Sequence, residues 1–326
     1  MYNTKTNRGD TMEIISEPKK PEFFDLVEYV DRIRLSEAVL EHLQETSESF
    51  EQLLKKIKKF AGEDISNIIY LWLDNNRKEL ESSVAMEHQK FTFSNQDLLA
   101  NDLFFDRLSI SEQRIKDLHK FVCEHSRTGA KRPGEYRDYD TWVGLNVKNG
   151  QNIIYWWGAQ PDDIKPFMKS YVEFYGKPSI KAVYENPFLK SALAHLLLVR
   201  LQPFEDGNSR TSRIVQNICF TSAINRVYGT KLKLSPLNIS FNLNVNYLAY
   251  RKKLNDIAFS MEQDDNDAIN SWLDFILNMY DEAMYYEKTH LPRLADLKQQ
   301  MESWGLVKDA RVVNQIEKGE IKKLVH

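Results

Sequence analysis

Cysteine is nearly absent: Cys123 and Cys219 are all that the 326-residue sequence contains. They are too few and too far apart for a disulfide framework or a thiolate metal site, which points to a reducing compartment. Long apolar runs are missing as well. No stretch approaches the ~18 uninterrupted apolar residues of a membrane span, and Met1 to Lys20 lacks the apolar centre of a secretory signal. The expectation is a cytoplasmic protein with no membrane partner. Charge of one sign does not dominate, because 44 basic residues against 47 acidic leave a net −3. No global field draws the chain onto nucleic acid, so any anion site must be local. Glycine and proline are sparse, at 12 and 10, while hydrophobic residues make up 42% and charged residues 28%. That composition excludes fibrous and disordered classes and favours helix over sheet.

The expected organisation is a flexible segment over 1–22, an N-terminal helical region over 23–93, a core over 94–262 and a C-terminal helical extension over 263–326. Apolar positions at helical spacing, among them Leu35, Val39 and Leu43, predict two or three helices between 23 and 82. Ser94 with Asp97, and Ser109 or Ser111, are helix-start signals over 95–126. One β-hairpin is expected, from Thr141–Leu145 and Asn152–Trp157, with Asn149-Gly150 as its tight turn. Pro161-Asp162-Asp163 starts a helix running to Tyr175, and Pro187 opens another that is apolar on nearly all faces to Leu201. Later helices are placed at 244–262, 266–288 and 290–304.

Between two buried helices lies Gln202-Pro203-Phe204-Glu205-Asp206-Gly207-Asn208-Ser209-Arg210-Thr211-Ser212-Arg213. A turn that leads into a helix N-terminus favours anions through its amides and the helix dipole. Gly207 permits the tight backbone, and Arg210 and Arg213, spaced i and i+3, project from one helix face. Phosphate is the natural ligand. Asp206 either neutralises an arginine or holds Mg²⁺, which commonly binds through one carboxylate plus substrate phosphates.

This string resembles the Fic motif, His-Pro-Phe-x-Asp/Glu-Gly-Asn-Gly-Arg-x-x-Arg, and departs from it at Gln202 and Ser209. The resemblance extends over roughly 80–260. It implies a mostly α fold, a Fic-type helical bundle with a β-hairpin flap that aligns a target segment by strand addition through Trp142, Val143 and Gly144. Gly134-Glu135-Tyr136-Arg137 resembles the approach to that flap. The implied activity is transfer of AMP from ATP to a Ser, Thr or Tyr hydroxyl of a protein, with the chain itself among the candidate targets; a homo-oligomer is a candidate assembly. Asp206 would hold Mg²⁺. Gly207, Asn208 and Ser209 would cradle phosphate, Arg210 and Arg213 would contact the outer phosphates, and Tyr250 would close the nucleotide pocket. The catalytic position is occupied by Gln202, whose amide cannot accept the hydroxyl proton that the family's histidine takes. Gln202 fits both a natural loss of the base and its replacement in an active enzyme. Upstream, Ser83-Val84-Ala85-Met86-Glu87-His88 resembles the family's inhibitory helix, Ser/Thr-x-x-x-Glu-Gly/Asn, whose glutamate pairs with the motif's second arginine, here Arg213.

Each feature has a plainer reading. An Asp-Gly-Asn loop alone is ordinarily a turn, Glu87 alone a solvated carboxylate, and His195 a hydrogen-bonded core histidine. Trp142, Tyr155, Trp156 and Trp157 serve either hairpin packing or docking. The alternative to an enzyme is a catalytically silent nucleotide-binding and protein-interaction module of the same fold. A related transferase moving phosphate or another nucleotide-linked group is a third reading.

Overall fold

A computed structural model describes residues 18–61, 69–88, 109–146, 152–176, 181–232 and 234–303. The expected turn at Asn149-Gly150, the capping signal at Ser94 and Asp97, the boundary between 93 and 94, and nearly all of the 1–22 segment lie outside them. Among the described residues the fold is mainly helical: α1 (Leu26–Arg32), α2 (Glu37–Ala61), α3 (Ile69–Ala85) and α4 (Glu112–His125) precede the hairpin β1 (Trp142–Asn146) and β2 (Asn152–Trp157). A 3₁₀ turn at Pro161–Asp163 leads into α5 (Ile164–Gly176). Then come α6 (Pro187–Leu201), α7 (Asn208–Tyr228), α8 (Ser240–Val245), α9 (Tyr247–Asn255) and α10 (Asn266–Ser303). No described helix is long and apolar enough to cross a membrane.

The core is built around α6. Asn186 caps it by accepting from the Phe188 amide, Pro187 fits the first turn, and every residue from Pro187 to Leu201 is buried. Its principal partner is α7, while α10 packs along α2 and also reaches α6. One apolar cluster runs from Phe24 to Met284, so the N-terminal helices, the central pair and the C-terminal helix share a single interior. Ser111, one of the two predicted starts, caps α4 by accepting from the Arg114 amide.

The hairpin pairs Trp142 with Trp157 and Val143 with Trp156, then Gly144 with Ile154, so Tyr155 is the extra residue of a bulge. A Cβ at Gly144 would stand 1.9 Å from the Ile153 carbonyl oxygen, which makes glycine obligatory for this register. Trp156 is buried against the Arg200 guanidinium, 4.5 Å from its ring centroid, so that aromatic packs inward.

Two helix predictions are corrected. The span 244–262 is α9 with the short α8 before it, separated at Asn246, and the chain leaves helix after Asn255. Phe259 takes φ 53° there, and the Asp265 carboxylate accepts from the Ala258 and Phe259 amides, replacing helical bonds with a local turn. The two helices expected at 266–288 and 290–304 are instead the continuous α10, which passes through Pro292. A proline removes one amide donor from the helix, and the preceding turns pack against α2 and α6.

Candidate active site

Between α6 and α7 the chain turns through two left-handed residues. Gln202 closes α6 at φ 47° and Gly207 opens α7 at φ 77°. Glycine adopts that conformation freely, whereas a residue with a side chain is held there at a cost of order 1 kcal/mol or more. The side chains of the loop supply the holding contacts. Asn208 Nδ2 donates to the Phe204 carbonyl at 2.9 Å and to Gln202 Oε1 at 3.0 Å, while its Oδ1 accepts from the Phe204 amide at 2.9 Å. Gln202 Nε2 donates to the Val199 carbonyl at 2.6 Å. Both ends of the Gln202 amide are therefore committed, one to α6 and the other to the first residue of α7.

No side chain caps α7, so its N-terminus presents an open set of amides and the positive end of the helix dipole. Asp206 stands beside it with its side chain 43% exposed. Its Oδ1 accepts from the Gly207 amide at 2.5 Å and from Arg210 Nη2 at 3.1 Å, and its Oδ2 accepts from the Gly129 amide at 2.7 Å. A carboxylate offers about four acceptor positions, so one remains for a cation. Among the described residues no group of three or more His, Cys, Asp or Glu could hold a metal ion. The site thus fits Mg²⁺ only in the manner of one carboxylate plus substrate oxygens.

The i, i+3 arginines are both buried, yet they reach different neighbours. Arg210 donates to Ser126 Oγ at 3.0 Å, to the Arg127 carbonyl at 2.9 Å and to Asp206. Arg213, only 1% exposed, turns toward α3: its Nε donates to Ser83 Oγ and its Nη2 to the Ser83 carbonyl, both at 2.7 Å. The Glu87 carboxylate lies 3.5 Å from the same Nη2. Glu87 sits not in α3 but in the turn that ends it, where the His88 amide donates to the Ala85 carbonyl and His88 itself takes φ 54°. That backbone explains why the resembled pattern has Gly or Asn at this position.

Behind Arg213 lies a buried polar chain. Arg213 Nη1 is 3.5 Å from the Tyr250 hydroxyl, which meets His195 Nε2 at 2.8 Å, and His195 Nδ1 meets Gln216 Oε1 at 2.8 Å. The bonds are satisfied by a neutral ring that donates from Nδ1 to Gln216 and accepts from the tyrosine. Burial, assisted by the Arg213 charge, depresses the His195 pKa to about 3, which fits the core-histidine reading.

His119 was not singled out by sequence reasoning. Its Nε2–H donates to the Asp206 carbonyl at 2.8 Å, its Nδ1 accepts from the Gly134 amide at 2.9 Å, and its ring stacks on Phe204 at 3.8 Å. Burial lowers its pKa, so the neutral donor-and-acceptor form is favoured. A lone histidine on an amphipathic helix carries no pattern that reveals a partner 87 residues away.

The Fic/DOC family profile matches residues 109–220, which contain the loop, both arginines and the hairpin. A protein adenylyltransferase Fic of Drosophila mojavensis is 25% identical over 210 residues, 59% of this chain and 38% of the relative. The Drosophila grimshawi protein of the same description is 28% identical over 153 residues, 44% of this chain and 29% of its own length. The chain thus spans well under half of these relatives. Among solved structures, a Fic family protein from Desulfovibrio desulfuricans superposes with a TM-score of 0.55 at 15% identity, covering 79% of this chain and 76% of that one. A Fic domain containing signaling protein from Bacteroides thetaiotaomicron does so at 0.50 and 20% identity, covering 74% and 97%. These structural likenesses concern the fold.

Proposed function

We propose that this chain, which belongs to the Fic family through residues 109–220, is built to move AMP from ATP onto a hydroxyl of a protein side chain, and that two features hold it silent. The observation that carries this reading is the uncapped N-terminus of α7 beside Asp206, with Arg213 of the same helix enclosed by Ser83 and Glu87. The names of the Drosophila relatives support ATP and a protein as the two substrates.

In this reading Gly207, Asn208, Ser209 and the first amides of α7 receive the phosphates, Arg210 and Arg213 neutralise them, and Tyr250 braces Arg213. The strand β1, at Trp142, Val143 and Gly144, receives the target segment by edge pairing. Mg²⁺ bound at Asp206 would neutralise phosphate charge. The target oxygen forms a bond to the α-phosphorus, pyrophosphate leaves, and the hydroxyl proton must pass to a base. Gln202 cannot take that proton, which withholds the ~10²- to 10⁴-fold contributed by general-base catalysis. Glu87 withholds Arg213 from phosphate by occupying it with a carboxylate.

The second reading, a silent nucleotide-binding module that uses its hairpin to hold a partner, is favoured by the commitment of both ends of the Gln202 amide to Val199 and Asn208. The double substitution Gln202→His with Glu87→Gly separates the two. With ATP labelled at the α-phosphate, it is expected to label itself or a protein target at least ~10²-fold faster than Glu87→Gly alone. A double variant that binds ATP and transfers nothing would favour the binding module.

A further inference from the structure

Arg137 is a buried guanidinium, 2% exposed, with no carboxylate within ion-pair distance among the described residues. An isolated buried charge is costly unless strong acceptors surround it. Four backbone carbonyls do so. Nε donates to the Gln202 carbonyl at 2.7 Å, Nη1 to the Tyr139 carbonyl at 2.6 Å, and Nη2 to the Ala159 carbonyl at 2.5 Å, with the Leu201 carbonyl at 3.5 Å from the same nitrogen. The Arg137 amide adds a bond to the Pro203 carbonyl at 3.1 Å. Burial lowers its pKa to about 10, which still leaves it charged at neutral pH.

The origin of these carbonyls carries the argument. Tyr139 precedes β1 and Ala159 follows β2, so they are the two stems of the hairpin, whereas Leu201 and Gln202 are the end of α6 and the left-handed residue where the family's base stands. One planar cation joins both stems to the peptide that sets the direction of the residue 202 side chain. The joint has no slack. A Cβ at Gly158 would meet Arg137 Nη2 at 2.8 Å, Gln202 Cβ at 2.9 Å and Thr141 Cγ2 at 3.1 Å. The Ala159 amide also donates to the Leu201 carbonyl at 3.0 Å, which ties the same two elements a second time.

We infer that Arg137 is a positioning residue that couples the hairpin to residue 202, so that a segment paired to β1 and the catalytic position move as one unit. The coupling itself is read from the fold, and its consequence for transfer rests on the function proposed above. Lysine at 137 would keep the charge but offers a single tetrahedral ammonium, which cannot serve carbonyls spread around a planar fork.

The test has an arm that needs no activity. In full-length protein labelled with ¹⁵N at glutamine, the Gln202 side-chain amide is assigned by its disappearance in Gln202→His. Gly144→Ala, which disrupts the bulge register from within the hairpin, is expected to shift that resonance in the parent chain. In Arg137→Lys the resonance is expected at a new position and less responsive to Gly144→Ala, since the Ala159–Leu201 bond remains. If Arg137→Lys fails to fold, Gly144→Ala in the parent still decides. An unmoved Gln202 amide overturns the coupling, as does a response that is the same with Arg or Lys at 137. In the Gln202→His, Glu87→Gly background, Arg137→Lys is expected to lower kcat about tenfold or more while leaving ATP affinity within about twofold. A background without any AMP transfer would refute the proposed function and leave the resonance arm to judge the coupling. Transfer retained in full by Arg137→Lys would overturn the role in positioning.

Discussion

At the scale of single residues, the enclosure of Arg213 is uneven. Ser83 supplies two acceptors at 2.7 Å, whereas Glu87 stands at 3.5 Å. A hydrogen bond to a charged group contributes about 1.5–3 kcal/mol, so removing the glutamate alone should free Arg213 only in part. Calorimetry of Mg-ATP binding is expected to show tighter binding in Glu87→Gly than in the parent. It should be tighter again by roughly tenfold when Ser83→Ala is added. Full affinity from Glu87→Gly alone would show that the serine does not restrain the arginine. Ser83 and Glu87 were legible because their spacing and the two motif arginines form recognisable strings. The distances that rank them were not, since they depend on how α3 lies across α7. His119 shows the same limit from the other side, because no string announces a ring that holds Asp206 by its carbonyl.

At the scale of elements, the turn that carries Glu87 and the long C-terminal helix each carry a measurable strain or charge. His88 at φ 54° is held in a backbone region that glycine enters freely. His88→Gly should relieve roughly 1 kcal/mol, partly offset by the added freedom of the unfolded chain, and should make the turn that carries Glu87 more persistent. The expected outcome is weaker Mg-ATP binding without loss of thermal stability, and stronger binding would count against an inhibitory turn. Elsewhere His42 of α2 bridges Asp274 and Asp281 of α10, with each nitrogen 2.8 Å from a carboxylate. Burial alone would lower its pKa, but the bonds to Asp281 and Asp274 outweigh it and the net shift is upward. A raised folded pKa means that the stabilisation is fully present below the unfolded value of about 6.5 and is lost as pH rises through the folded one. Urea melts of His42→Ala against the parent should therefore differ most at pH 6 and converge by pH 9. An equal difference at both pH values would mean that His42 contributes by packing alone. The apolar spacing of α2 and α6 was readable, but the pairing of α2 with α10, more than 230 residues apart, was not.

At the scale of the whole molecule, a ligand that binds only the native state stabilises it by mass action, about 2.7 kcal/mol at a hundredfold excess over Kd. Because one apolar cluster runs from Phe24 to Met284, that stabilisation should appear as a shift of a single cooperative transition. Melting temperature with Mg-ATP is expected to rise by a few degrees in Glu87→Gly and by less in the parent at the same nucleotide concentration. No shift in either protein, even at millimolar ATP, would argue against a nucleotide site at α7. The sequence by itself determined the helical class, the hairpin strands, the buried helix before the loop and the identity of the residues around it. Those features rest on local periodicity, on capping and turn chemistry, and on a motif confined to a dozen neighbouring positions. Only the tertiary structure decided that Arg210 and Arg213 serve different neighbours, that both ends of Gln202 are bonded, and that Arg137 gathers carbonyls from two elements. Each of these depends on groups distant in the chain meeting in a dry interior, where a charged or polar atom must find whatever partner the packing of the helices brings within reach.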